Sequence, residues 1–363
     1  MVLGTLSRYF AWRFVAAAAT VFGGVFVLVV LVDYVEMTRH ASNVAPNAPA
    51  LAVAQVSFYR VPQVTERIIP FATLIGAMMC YLTLSRRLEL VVARSAGVSA
   101  WQFIAPAVAA ALLIGVAATS LYNPLSAMMR EQSKKVEAEV FGPRNAPQRS
   151  GSGFWVRQRD VDGQAVINAA SSRYQGSVLD GVTVLTFDAA GHFQERIEAR
   201  RAELEPGFWR LRDAKVFSPA TPPLEHAFYL LSTNLTLEQV RESFATPETV
   251  SFWELPYYIA LAEQAGLAAA GYRLQYQLLL ARPFLLAAMV LLAASVSLRF
   301  FRFGGVTRMI LSGVLAGFLL YVLSKVTEDM SKAELMHPVA AAWLPVLAGG
   351  LTGFVVLLYQ EDG

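Results

Sequence analysis

The sequence is poor in the residue types from which metal centres and disulfide scaffolds are built. Its 363 residues include one cysteine, Cys80, and four scattered histidines, His40, His192, His226 and His337. A single cysteine cannot form an internal disulfide, and a structural metal site needs several ligands close together. We interpret the histidines as ordinary surface or boundary residues and predict no metal site.

Lysine is also scarce, and its placement excludes a nucleotide-binding P-loop. That motif places a lysine directly after a glycine and before a serine or threonine. No lysine of this sequence follows a glycine: Lys134, Lys135, Lys215, Lys325 and Lys332. No catalytic constellation is present in the sequence either. We therefore predict a chain that is not an enzyme and binds no cofactor; if ATP drives it, a partner binds the ATP and magnesium.

Charge of any sign is limited, whereas apolar residues are abundant. Charged residues make up 16% of the chain and the formal net charge is +3, so no basic field is available for nucleic acid. The hydrophobic share is 55% and the mean hydropathy is +0.45. Soluble domains have about 45–50% apolar residues, so this composition favours a membrane protein.

Six uncharged apolar runs are long enough to cross a bilayer. A hydrocarbon core of about 30 Å needs roughly 20 helical residues. Three runs precede residue 130 and three follow residue 275. The predicted spans are Phe14–Val32, Ile68–Ser85, Trp101–Tyr122, Pro283–Leu298, Met309–Ser324 and Pro338–Gln360.

Arginines near the ends of the spans indicate their orientation. They lie before the first span, between the second and third, and between the fourth and fifth: Arg8, Arg13, Arg86, Arg87, Arg94, Arg299, Arg302 and Arg308. Alternation of the spans places all three groups on one side, which the positive-inside rule makes cytoplasmic. Both termini are therefore predicted to be cytoplasmic.

The region between the third and fourth spans, residues 131–250, is predicted to be an all-β domain. Turn signals such as Asp162–Gly163 separate short β-type runs without intervening helices. This pattern is typical of a sandwich or an open jelly roll. The stretch "ELEPGFWRL" predicts a hairpin with Phe208 and Leu211 near its inner face.

The β insertion divides the chain into three segments. Residues 1–130 contain the first three spans, with a short cytoplasmic helix at residues 85–98. Residues 131–250 form the β domain. Residues 251–363 contain a link, an amphipathic helix at about residues 251–265 and the last three spans. The aromatic residues of this helix suit a membrane interface, but packing against the β domain explains them equally well.

The stretch "SRRLELVVARSAGVSAWQF" between the second and third spans predicts the short cytoplasmic helix. Leu88, Val91 and Val92 fall on one face, Glu89 near the helix start favours the helix dipole, and Gly97 ends the helix. Two functions fit this pattern. The stretch is either a positively charged anchor loop or a coupling helix that docks into a groove of a cytoplasmic protein.

Five stretches, together with the three-plus-three spans and the inserted β domain, resemble a known family over essentially the whole chain. They are "SRYFAWRF", "RRLELVVARSAGVSAWQF", "TNLTLEQV", "GYRLQYQLLLARPF" and "GFLLYVLSKV". The family is that of the lipopolysaccharide-export permeases, also called the YjgP/YjgQ or LptF/LptG family. The first, third and fourth stretches are more similar to its LptG branch.

The resemblance implies one half of an ATP-driven ABC exporter in the inner membrane of a Gram-negative bacterium. Such an exporter extracts lipopolysaccharide from the outer leaflet and passes it to a periplasmic bridge toward the outer membrane. The implied partners are the homologous permease LptF, a cytoplasmic LptB ATPase dimer, the single-span LptC and a bridge of periplasmic jellyrolls, to which the chain's own periplasmic β-jellyroll belongs.

The resemblance also implies roles for individual residues. The ATPase would contact the coupling helix through Arg86, Arg87, Leu88, Glu89 and Val92. At the outer end of the first span, Asp33, Glu36 and His40 share one helix face with Arg39 beside them, as either a solvated helix end or a polar rim for lipid phosphates. Arg39 and His40 match basic positions of the family, whereas Asp33 departs from them. Residues expected to contact acyl chains, or else to pack between helices, are Phe71, Leu74, Met78, Leu315, Phe318, Leu319 and Val322.

Two other classes of protein fit the sequence less well than an exporter. A secondary transporter would place ionisable residues at mid-membrane in broken helices, whereas the predicted spans are nearly all apolar there. A non-transporting scaffold that displays the β domain does not need an amphipathic cytoplasmic helix. Arg282, just before Pro283 at the start of the fourth span, is costly at membrane depth and is expected to be paired, functional or snorkelling.

Overall fold

The computed structural model describes residues 4–44, 49–141, 154–160, 163–173, 177–188, 192–218, 221–233, 247–264, 269–301 and 306–361. The parts of the sequence interpreted above that lie outside these residues include Asp162, Arg302, the stretch 234–240 and Ala265. The chain forms two units. The helical unit comprises Met1–Ala146, Ser251–Trp253 and Arg273–Gly363, and the β unit comprises Pro147–Val250 and Glu254–Tyr272.

The six predicted spans are confirmed as helices. The helices of the described residues are α1 (Thr5–Val44), α2 (Ala50–Glu66), α3 (Ile69–Arg86), α4 (Glu89–Ser95), α5 (Ala100–Ala117), α6 (Asn123–Phe141), α7 (Leu255–Gln264), α8 (Ala270–Phe301), α9 (Val306–Lys332) and α10 (Pro338–Glu361). A single π-helical turn, Ala118–Tyr122, joins α5 to α6. The helices long and apolar enough to cross a membrane are α1, α3, α5 with α6, α8, α9 and α10.

Helix α1 continues well past the end of the first apolar run. Its last turns pack on α2 and α6 through a small apolar core of Met37, Ala41, Val53 and Val56. The sequence predicts a β insertion from residue 131, whereas α6 remains helical to Phe141 and the first described strand begins at residue 154. The later turns of α1 and α6 contain charged residues and were not predicted as helix, because a helix outside a bilayer needs only one apolar face.

Three prolines in the helices leave carbonyls without their usual donor. Proline has no N–H, so the carbonyl four residues earlier loses its i→i−4 hydrogen bond. In each case a side chain from elsewhere in the helical unit donates instead. Trp253 Nε1 donates at 3.1 Å to the Ser120 carbonyl, which Pro124 leaves without a donor. Thr119 Oγ1 donates at 2.9 Å to the Leu279 carbonyl, four residues before Pro283. Thr327 Oγ1 donates at 2.9 Å to the Ala341 carbonyl, four residues before Pro345.

The described residues of the β unit between α6 and residue 233 form one antiparallel sheet, which confirms an inserted β domain. Its strands are β1 (Phe154–Asp160), β2 (Gly163–Arg173), β3 (Val178–Phe187), β4 (Phe193–Glu205), β5 (Phe208–Ser218) and β6 (Thr221–Ser232). The strands lie in sequence order from β1 to β6. The described strands therefore form a meander, without the Greek-key crossovers that a jelly roll has in its strict sense.

The predicted β4–β5 hairpin is confirmed, with one correction to its inner face. Glu205 pairs with Phe208 across a tight turn in which Gly207 has a φ of +87°. Side chains alternate between faces along a strand, so Trp209 and Leu211 enter the core at 1% and 0% exposure. The prediction was right for Leu211 and wrong for Phe208, which lies on the opposite face.

Candidate functional site

The helix α4 exposes a basic and apolar surface next to the ends of α3 and α5. Leu88 has a left-handed backbone conformation, with a φ of 62°, that separates α4 from α3. Leu90 is buried in the core of the helical unit. Leu88 and Val92 are 58% and 65% exposed, and Arg86 and Arg87 are exposed beside them. The structure thus brings four of the predicted coupling residues together on one outward surface.

The fifth coupling residue, Glu89, contacts helix α1. The hydroxyl of Tyr9 donates a hydrogen bond to Glu89 Oε2 at 2.9 Å. Arg13 donates to the same hydroxyl from Nε and Nη2 at 2.9 and 2.7 Å, and its Nη2 lies 3.7 Å from Glu89 Oε1. Sequence reasoning missed this triad of side chains. The only signal was that Tyr9 and Arg13 are four residues apart and share a helix face.

The four predicted rim residues do not share one environment. Asp33 is buried in the bundle of α1, α2 and α6, where Ser57 Oγ donates to its Oδ2 at 2.7 Å. Arg60 Nε lies 3.6 Å from Asp33 Oδ1 and compensates its charge. Glu36 and Arg39 are exposed, and His40 is half-buried. Only Glu36 and Arg39 are thus fully available to a lipid headgroup.

The same bundle contains a second acidic side chain, Glu137 of α6. Burial raises the pKa of Glu137, against the lowering effect of Arg60, His40 and Arg130, while Asp33 raises it further. Among the described residues, no hydrogen-bond donor reaches Glu137 Oε1. This carboxyl is therefore less well compensated than that of Asp33.

The predicted acyl-chain residues divide by helix. Leu74 and Met78 of α3 are buried, and they pack where Gly317 and Gly313 of α9 leave space for them. Phe71 contacts Tyr321, with ring centroids 5.3 Å apart. The residues of α9 are exposed on its outer face: Leu315, Phe318, Leu319 and Val322. Packing between helices explains the α3 residues, whereas the α9 residues form an exposed apolar surface.

A buried polar network joins the end of α2 and the start of α6 to α8. Arg282 Nη1 contacts Glu66 Oε1 at 2.5 Å, so Arg282 is paired. Asn123 Nδ2 and Ser126 Oγ each donate to the Glu66 carboxylate at 2.9 Å. The Phe252 backbone N–H donates to Asn123 Oδ1 at 2.8 Å. Such complete pairing is how charge is tolerated at membrane depth.

An apolar cavity of about 460 Å³ lies between α1, α3 and α5 with the π turn. Its wall is almost free of polar surface. The lining residues are Val15, Ala18, Ala19, Phe22, Ile69, Ala72, Thr73, Ile114, Ala117, Ala118, Leu121, Tyr122 and Leu125. Within the described part of the chain, no group of His, Cys, Asp or Glu is arranged to hold a metal ion.

Comparison with known proteins places these features in one family. The family model described as "Lipopolysaccharide export system permease LptF/LptG" matches residues 8–359. The chain is 23% identical over 359 residues to the lipopolysaccharide export system permease protein LptG of Escherichia coli (strain K12), covering 94% of each chain. It is 22% identical over 378 residues to the LptG protein of Haemophilus influenzae, covering 99% of this chain and 98% of the relative.

Proposed function

The chain belongs to the LptF/LptG family of lipopolysaccharide export system permeases, and from that premise we propose that it is the LptG-type half of an ATP-driven exporter. As a member it is a multi-pass permease subunit of the bacterial inner membrane and not itself a catalytic chain. The LptG assignment is supported by the names of both relatives.

The exposed surface of α4 is the observation that carries the ATP-driven mechanism. Leu88 and Val92 are large apolar side chains exposed to solvent, and Arg86 and Arg87 lie beside them. A short helix that is anchored by Leu90 and exposes apolar groups is suited to a groove on a partner. Because no lysine follows a glycine as a P-loop requires, that partner supplies ATP hydrolysis, as a cytoplasmic LptB-type dimer.

The proposed orientation places α4 and both termini in the cytoplasm and the β unit in the periplasm. Arginines next to α1, α3, α4 and α9 support it through the positive-inside rule. The β6 strand lies at one edge of the sheet and exposes Leu224, Phe228 and Leu230. An edge with exposed apolar residues supports pairing with a further β-rich protein, here the periplasmic bridge toward the outer membrane.

The lipid is proposed to meet the chain at α1 and α9. Arg39, with Glu36 and the half-buried His40 beside it, would contact headgroup phosphate through charge-assisted hydrogen bonds. The apolar face of α9 that includes Leu315, Phe318 and Leu319 would contact acyl chains, with an LptF-type permease completing the cavity. A single-span LptC-type protein beside α1 would receive the lipopolysaccharide.

The proposal is tested with the full-length chain, co-expressed with its partner permease and ATPase and reconstituted with or without lipopolysaccharide. Val92→Glu should reduce co-purified ATPase roughly tenfold or more, because docking would bury an unpaired carboxylate. Thr307→Glu, an exposed control on the same predicted side, should retain the ATPase. Arg39→Glu should retain the ATPase but weaken lipopolysaccharide stimulation by roughly tenfold.

Each variant tests a separate part of the proposal. Full ATPase recovery with Val92→Glu would remove α4 as the docking surface. Normal stimulation with Arg39→Glu would remove Arg39 from the headgroup site. If the unmodified chain co-purifies with no ATPase, the ATP-driven mechanism itself is wrong.

A further inference from the structure

Helix α4 lies between α3 and α5 in the sequence, yet its acidic residue is bonded to α1. Tyr9 OH donates to Glu89 Oε2 at 2.9 Å and accepts hydrogen bonds from Arg13 at 2.7 and 2.9 Å. The Arg13 guanidinium also lies over the Tyr9 ring, 5.1 Å from its centroid. We propose that Tyr9 and Arg13 are positioning residues that link the coupling helix to α1 through Glu89, so that movement of α4 shifts α1 directly.

The chemistry of the triad suits a directional link. A carboxylate that accepts from a hydroxyl is held by a charge-assisted hydrogen bond, which is stronger and shorter than a neutral one. The same hydroxyl is oriented by the two donors of Arg13, so its proton points toward Glu89. Loss of either Tyr9 or Arg13 should therefore loosen Glu89, although only Tyr9 donates to it directly.

Helix α1 is able to transmit such a shift over a long distance. It is continuous over 40 residues, which corresponds to roughly 60 Å at 1.5 Å per residue. Near its start, Phe10 and Phe14 are buried in the core of the helical unit. Phe10 also contacts Phe103 of α5, with centroids 6.1 Å apart. The start of α1 is therefore packed against the same helices that carry α4, and its far end bears Arg39.

The exposure of the triad indicates that the link is exchangeable. The side chains of Arg13 and Glu89 are 33% and 28% exposed, with 3.7 Å between their charged atoms. Solvent screens a pair of this kind, so Glu89 can be transferred to a cation of a docked protein at little cost. We infer that Glu89 alternates between α1 and the ATPase, and that Tyr9 and Arg13 define the position to which it returns.

This inference rests on the proposed function, and its test uses the same reconstituted full-length complex. Tyr9→Phe removes the hydroxyl and keeps the ring, whereas Arg13→Gln removes the guanidinium and Arg13→Lys keeps only its charge. Arg8→Gln removes an exposed positive charge from the same end of α1 and serves as the matched control. Two quantities are measured: ATP hydrolysed and lipopolysaccharide released to an acceptor.

We expect Tyr9→Phe and Arg13→Gln to release roughly threefold to tenfold less lipopolysaccharide per ATP hydrolysed, the range for one lost charge-assisted hydrogen bond at a half-exposed site. ATPase stoichiometry should not change. Arg13→Lys should lose less than Arg13→Gln, and Arg8→Gln should match the unmodified chain. A merely structural role would instead lower complex recovery and both activities together, leaving their ratio unchanged.

The outcomes separate this inference from the proposal on which it rests. If the unmodified complex couples ATP hydrolysis to release and the Tyr9 and Arg13 variants keep the same ratio, the positioning role is wrong and the exporter assignment stands. An equal change in Arg8→Gln would also overturn the role, because the effect would then be one of net charge. An unmodified chain that binds no ATPase would overturn the proposed function first.

Discussion

Two arginine–glutamate pairs of the helical unit differ mainly in burial. The side chains of Arg282 and Glu66 are 14% and 7% exposed, and two further donors complete the carboxylate. Those of Arg13 and Glu89 are 33% and 28% exposed, with a hydroxyl between them. A buried charge that loses its partner is stranded, whereas an exposed one is stabilised by water. The first pair therefore suits a fixed joint, and the second suits a contact that is made and broken.

The largest effect is expected from breaking the buried pair. Arg282→Met leaves the Glu66 carboxylate buried with only Asn123 and Ser126, which should reduce the free energy of unfolding by about 3–5 kcal/mol. Adding Glu66→Leu should recover part of the loss, because it removes the stranded carboxylate but leaves the Asn123 and Ser126 donors without their acceptor. Thermal unfolding in detergent measures both variants.

The exposed pair provides the contrast for that experiment. Arg13→Met should leave the unfolding midpoint close to that of the unmodified chain, since water replaces the lost partner. Equal losses from Arg282→Met and Arg13→Met would contradict the distinction between the two pairs. So would a double Glu66 and Arg282 variant that is no more stable than the single one.

A smaller effect is expected from removing the Thr119 hydroxyl, which donates to the α8 carbonyl that Pro283 leaves without a donor. Thr119→Val keeps the shape of the side chain but leaves the Leu279 carbonyl without a donor, at a cost of about 1 kcal/mol. Thr20→Val is the matched control, because the Thr20 hydroxyl only donates to Ala16 O of its own helix, at 2.8 Å. Equal changes in the unfolding midpoints of these two variants would show that the remote bond is unimportant.

The smallest effect is expected from Glu137, in the bundle of α1, α2 and α6, and it depends on pH. Burial raises the pKa of Glu137 in the folded chain, so the folded state binds the proton more tightly than the unfolded state. Stability is then favoured at low pH and declines as pH rises through the folded pKa. Glu137→Gln should raise the free energy of unfolding at pH 8 by less than about 1 kcal/mol, because partial exposure screens the charge.

The pH dependence of the difference is the decisive measurement for Glu137. The gain from Glu137→Gln should disappear as pH falls and the native carboxyl becomes protonated. Glu131→Gln, at an exposed position of the same helix, should show no such trend. A gain in stability that does not change with pH would show that the gain comes from packing and not from ionisation.

The fold could be predicted largely from local pattern, because each span and each strand carries its own signal. A run of about twenty apolar residues predicts a span whatever its neighbours are. The stretch "ELEPGFWRL" likewise predicted the hairpin by itself. The error at Phe208 arose from one step of register, since neighbouring residues of a strand face opposite sides. Family resemblance added the coupling residues, four of which are exposed from the end of α3 to the middle of α4.

The charged contacts could not be predicted, because each depends on distant residues. Arg282 and Glu66 are 216 residues apart, and Tyr9 and Glu89 are 80 apart. The spacing of Asp33, Glu36 and His40 suggested a shared face, but a spacing does not show what covers that face. Residues Ser57 and Arg60, which surround Asp33, lie on α2, a helix that the sequence interpretation did not include.

Two of the carbonyls that a proline leaves without a donor can obtain their side-chain hydrogen bonds only late in synthesis of the chain. Ser120 obtains a side-chain donor from Trp253, 133 residues later, while Leu279 obtains its donor from Thr119, 160 residues earlier. Each half of the helical unit therefore carries a carbonyl whose replacement donor is in the other half. In a nascent chain that contains only its first three spans, the Ser120 carbonyl lacks Trp253, which follows the strands, and Thr119 lacks its acceptor in the fourth span. All six strands are synthesised during that interval, so these two hydrogen bonds can form only after the sequence of the whole sheet is complete.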